Sequence, residues 1–113
     1  MNMDGTCVFL SLFSFALAQV CGITIPPAAL VSVIFSIIVL SVGAPGIPGS
    51  GLVCLSVLLA QLNVPIEVVT LVMGIDTLLG MIRTMNNCLG DVAVSTIVAK
   101  TEGILDIDMY YAK

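Results

Sequence analysis

The chain of 113 residues has no histidine and no tryptophan, and only three of its residues are lysine or arginine. Without histidine, the commonest general base and the commonest metal ligand are both missing. The four cysteines, Cys7, Cys21, Cys54 and Cys88, stand far apart among apolar residues. They make none of the close Cys/His pairs of a zinc site, and they read as small buried hydrophobes. Three basic residues in no cluster, within a net charge of −4, give nucleic-acid phosphates nothing to hold. No activated nucleophile is visible, so neither an enzyme nor a bound cofactor is expected. Charge itself is scarce, at 9% of residues, against about a quarter in a soluble domain. With 59% hydrophobic residues and a mean hydropathy of +1.23, the composition fits a lipid bilayer better than water. The start, "MNMDGT", has neither the basic region nor the cleavage pattern of a signal peptide.

Residues 7–25, "CVFLSLFSFALAQVCGITI", carry no charge over 19 positions. At about 1.5 Å per residue they suffice for one helix across a hydrocarbon core of about 30 Å. Pro26 and Pro27 stop that helix and can begin the next. Residues 28–42 are rich in Val and Ile, yet strands are a poor reading, because an open sheet edge cannot be satisfied in lipid. A helix over 26–42 would reach only about 25 Å, and one over 52–62 about 17 Å. These two short arms flank "GAPGIPGSG" at 43–51 and read as a re-entrant hairpin. "NVP" at 63–65 turns the chain into a long apolar run ending at Lys100. At about 100° per residue, its Asp76, Arg83, Asn87 and Asp91 fall at about 0°, −20°, 20° and 60°, with Gly80 at about 40°. One polar stripe thus follows a long helix, continuous or broken. Glu102, Asp106 and Asp108 then mark a tail, with Tyr110 and Tyr111 either at a membrane interface or in solvent. The expected fold is all-α and integral to a membrane, with a spanning helix, a re-entrant helical hairpin and a long polar-striped helix. Neither an internal repeat nor a second domain is visible.

Three features carry chemistry, each with a plain alternative. A charge at mid-bilayer costs about 2.5–3.5 kcal/mol on insertion scales, so the stripe needs partners. It reads as a path for an ion or charged solute, or as helix–helix glue in which Arg83 pairs with Asp76 or Asp91. The tip at 43–51 is either an ordinary turn or a helix break, whose freed carbonyls and helix start face a buried ligand. It is not a nucleotide loop: Gly46 and Gly51 have the separation, but no Lys-Ser/Thr follows. Asn2, Asp4 and Thr6 are either helix-capping residues or oxygen ligands for a hard cation.

"NMDGT" at 2–6, "SVGAPGIPGSG" at 41–51 and "GIDTLLGMIRTMNNCLGD" at 74–91 resemble, in order, the dicarboxylate/amino-acid:cation symporter family of glutamate-transporter homologues. The resemblance implies that 1–25 is the second half of the seventh helix, 26–62 the re-entrant hairpin two, 65–101 the eighth helix and 102–113 a solvated tail. These would form part of a transport domain. Six earlier helices, a first hairpin with a serine-rich tip and the trimerisation scaffold have no counterpart here. The chain therefore resembles a C-terminal fragment whose parent is a homotrimer, multi-pass in the plasma membrane of a bacterial cell. Its implied work is sodium-coupled symport of a C4-dicarboxylate or acidic amino acid, with proton coupling open. A truncated, non-transporting membrane fragment is the alternative. By position, Arg83 resembles the anchor of a substrate side-chain carboxylate, with Thr6 and Thr84 as hydroxyl partners. Asn87 resembles the amide that holds the main-chain carboxylate, and Gly46, Ile47 and Gly51 the tip that closes over the substrate. Asp91 with backbone oxygens of Asn2 and Asn87 resembles one sodium site. Backbone oxygens of Ser41, Val42 and Ala44 with the Met3 sulfur resemble a second. The side chains of Asn2 and Asp4 resemble part of a third. One departure is Gly80, which stands where members that take acidic amino acids carry the Asp that binds the substrate ammonium. A dicarboxylate without an amino group is the substrate this glycine suggests.

Overall fold

Prolines, a glycine-rich tip and a turn at Asn63 cut residues 3–75 of this apolar chain into short helices. The computed structural model describes residues 3–112, and all regular structure in them is helical, with no strand. Helix α1 spans Asp4–Val20, α2 spans Pro27–Gly43 and α3 spans Ser50–Gln61. A 3₁₀ turn at Ile66–Val68 leads into α4, Val69–Met73, and then α5 runs over Asp76–Thr101 and α6 over Ile107–Tyr111.

The uncharged run at 7–25 does not make one long helix. α1 has 17 residues, which is about 25 Å of rise. It stops because Gly22 takes a positive φ of 69°. The Gly22 N–H then donates to Gln19 O and the Ile23 N–H to Ala18 O, both at 2.9 Å, which satisfies carbonyls that the helix end would orphan. α3 ends the same way: Asn63 sits at φ 55°, and the Val64 N–H donates to Leu59 O at 2.9 Å. Pro65 follows and prevents continuation.

No single helix among the described residues is long and apolar enough to cross a membrane. The pair Ile66–Met73 and Asp76–Thr101 has the length and composition together, but it is bent by 79°. The run after Pro65 is therefore a broken helix. At the break Ile75 N–H donates to Val72 O at 3.1 Å, three residues back rather than four.

The core follows helical spacing. On α1 the buried positions are Thr6, Phe9, Leu10, Ser14, Leu17 and Ala18, and on α3 Gly51, Cys54, Leu55, Leu58 and Leu59. Both series recur at three- and four-residue steps, so each forms one stripe. Val33 and Ile37 of α2, and Val69 and Val72 of α4, pack into the same cluster. α5 is different: none of its 26 residues is buried. Of the cysteines, Cys54 is buried, Cys7 and Cys21 are partly covered, and Cys88 on α5 is exposed, against the expectation of four buried thiols. In the tail, Asp106 caps the short α6 by accepting from the Met109 N–H at 3.0 Å. Tyr110 and Tyr111 lie there exposed, edge to face, with ring centroids 5.1 Å apart.

Candidate functional site

The tip between α2 and α3, the first turn of α1 and one face of α5 line an open cavity of about 630 Å³. Its lining includes Met3 and Thr6 from the start of α1, Ala44 to Ser50 from the tip, and Asp76, Gly80, Arg83, Thr84 and Asn87 from α5. The polar stripe thus turns four of its members toward one space, while Asp91 is exposed and outside the lining.

Asn87 is the knot of the site. Its Oδ1 accepts from the Gly5 N–H at 2.9 Å. Its Nδ2 donates to Thr6 Oγ1 at 3.2 Å and to the Met3 sulfur at 3.3 Å. The first turn of α1 has no side-chain cap of its own, so a residue from α5 takes over an orphan N–H of that turn. Gly5 makes this approach possible. A Cβ there would lie 2.9 Å from Arg83 O and 3.0 Å from Asn87 Oδ1, too close for either to stay in place.

Arg83 lies in a slot between α1 and α3. Its Cζ is 4.7 Å from the centroid of the Phe9 ring, within cation–π range. Phe9 is itself packed on Phe13, with centroids 4.9 Å apart. On the other side is Gly51, where a Cβ would overlap Arg83 Nη1 and come within 2.7 Å of Cζ. Arg83 Nη1 is buried without a hydrogen-bond partner, and so is Asp76 Oδ1. These two atoms are therefore not tied to each other as helix glue.

The cavity brings together Met3, Thr6, Ala44, Gly46, Ile47, Arg83, Thr84 and Asn87 of the residues singled out from the sequence. Asp4, Ser41, Val42, Gly51 and Asp91 lie outside its lining. Asp4 is the exposed first residue of α1. Ser41 is buried, accepting from the Cys7 thiol at 3.0 Å and donating to Ile38 O at 2.9 Å. Val42 is exposed, Gly51 backs the arginine slot, and Asn2 is outside the described residues. Sequence reasoning missed Phe9 and Gly5. Phe9 had a signal, since it lies three residues after Thr6 and so shares its face. Gly5 had none, because its role depends on a helix more than eighty residues away.

The model of the sodium:dicarboxylate symporter family matches residues 1–101. The C4-dicarboxylate transport protein of Laribacter hongkongensis is 33% identical over 113 residues, 99% of this chain and 26% of that protein. Excitatory amino acid transporter 3 of Mus musculus is 36% identical over 99 residues, 88% of this chain and 19% of its own length. The proton/sodium-glutamate symport protein of Geobacillus stearothermophilus is 34% identical over 102 residues, 90% of this chain and 24% of its own. The chain spans about a quarter or less of the length of these relatives. No solved structure matches it. The family is one of transporters rather than enzymes, and its model matches nearly the whole chain: the chain belongs to the sodium:dicarboxylate symporter family.

Proposed function

We propose that this chain forms the substrate- and cation-binding core of a membrane symporter for C4-dicarboxylates or acidic amino acids, coupled to sodium. The observation that carries the reading is Arg83, which lines the cavity with Thr6, Thr84 and Asn87 and whose buried Nη1 has no hydrogen-bond partner. A buried guanidinium nitrogen without an acceptor is costly, and a substrate carboxylate is the planar, anionic acceptor that suits it. The start of α3, at Gly51, sets the positive end of a helix dipole against the same guanidinium. Oxygen and sulfur atoms near the cavity support a cation role. Met3 and Ala44 line it, and with Ser41 and Val42 at the end of α2 they form one proposed sodium site. Asp91 with Asn87 forms another, and Asp4 with Asn2 part of a third. Sodium would order the tip and the first turn of α1, and substrate would let Gly46 and Ile47 close over it. The bilayer is the proposed solvent for the exposed apolar faces, including Val31, Phe35 and Val42 on α2.

The test is binding of radiolabelled succinate and L-aspartate to the chain in lipid nanodiscs, with sodium or with choline. Saturable binding of at least one ligand, dependent on sodium and lost in Arg83→Ala, is expected. Binding that ignores both sodium and Arg83 would overturn the reading.

A further inference from the structure

The main cavity holds one acid and one base among its described lining residues, Asp76 and Arg83. Each has a buried side-chain atom without a hydrogen-bond partner, Asp76 Oδ1 and Arg83 Nη1. Leaving such an atom unsatisfied costs about 1–3 kcal/mol, and more where the group is charged. Each of these side chains is thus short of a partner, and both line the cavity. The two stand on one stripe of α5, about 10 Å apart along the helix axis at about 1.5 Å per residue. Helical side chains lean toward the N-terminus, and Arg83 does so. Its Nη2 stands 3.9 Å from where a Cβ on Gly80 would be, so the guanidinium closes part of the distance to Asp76. Gly80 adds no side-chain acceptor between them, and among the described residues no other atom from beyond its own turns of helix lies within 4 Å of that Cβ position.

We propose that Asp76 accepts the amino group of an acidic amino acid whose side-chain carboxylate is held by Arg83. An ammonium removed from water needs a carboxylate or several acceptors, and Asp76 is the one carboxylate that the described lining offers. Glycine at position 80 alone argues for a substrate without an amino group. The cavity supplies the missing acceptor one helical turn away. The inference rests on the cavity being the substrate site, and it names the residue that distinguishes an amino acid from its des-amino dicarboxylate.

The experiment is ligand-observed saturation-transfer NMR on the chain in lipid nanodiscs with sodium, titrating L-aspartate and succinate against wild type and Asp76→Asn. Asparagine keeps the shape of Asp76 and removes its charge. L-Aspartate should bind at least fivefold more weakly to the variant, and succinate more tightly, because a like charge has left the cavity. Parallel weakening of both ligands, or unchanged L-aspartate affinity, would show that Asp76 does not hold the amino group. A shift in sodium dependence with the aspartate-to-succinate ratio preserved would assign Asp76 to a cation and overturn the inference. Wild type binding neither ligand would instead remove the substrate site itself, and the inference with it.

Discussion

At the scale of single residues, the site is organised by unequal side chains. Arg83 can hold a carboxylate through two charge-assisted bonds, whereas Thr84 offers one neutral hydroxyl. A neutral hydrogen bond is worth about 0.5–1.5 kcal/mol net and one to a charged group about 1.5–3 kcal/mol. Thr84→Ala should thus weaken succinate roughly threefold to tenfold, and Arg83→Ala tenfold or more beyond that. Competition binding in nanodiscs reads both, and equal losses would mean that Arg83 is not the anchor. Asp91 makes a separate prediction. A carboxylate suits a hard cation better than an amide does, so Asp91→Asn should raise the sodium concentration for half-maximal ligand binding severalfold. A sodium titration at fixed ligand checks this, and an unmoved midpoint would leave Asp91 with a structural role.

At the scale of elements, the close crossing of α1 over α5 is what shapes the cavity. A Cβ on Gly5 would press on the backbone carbonyl of Arg83, which cannot swing away as a side chain can. Forcing extra atoms into such a contact costs about 1–3 kcal/mol. Gly5→Ala should therefore lower the thermal unfolding midpoint and weaken ligand binding. Gly43→Ala is the control for the midpoint, since nothing from beyond its own turns of helix lies within 4 Å of a Cβ there. Equal midpoints for the two variants would show that the crossing yields. Much of this level was legible in the sequence. The apolar spacing on α1 and α3, the proline and glycine punctuation, and the common face of Asp76, Gly80, Arg83 and Asn87 all follow from local pattern. The end of α1 at Val20 was not, because hydropathy does not register a single glycine taking a positive φ inside an apolar run. Nor was the slot for Arg83, since Phe9 and Gly51 meet it only after three helices have packed.

At the scale of the whole molecule, the described residues extend over 56 × 31 × 19 Å. The thinnest dimension is less than two helix diameters of about 10–12 Å each. Such a slab has little to enclose α5, which explains why a 26-residue helix buries no residue. Alternating access requires one body to move against another, and this slab is a single body with an open side. Proteoliposomes containing only these 113 residues should therefore bind ligand without concentrating it. Uptake of radiolabelled L-aspartate or succinate driven by a sodium gradient would contradict that expectation.

The bond from Gly5 to Asn87 joins residues 82 apart in the chain. Contacts between distant residues form late, because the intervening chain must first lose its freedom. α1, α2 and α3 can associate through their own apolar stripes as soon as they are made. The first turn of α1 cannot: its cap lies 82 residues further along the chain. During synthesis Met3, Gly5 and Thr6 must wait for Asn87, made long after them, before the cavity has a wall. A nascent chain halted before residue 87 would hold a packed hairpin and a frayed helix start, with no place yet for a ligand.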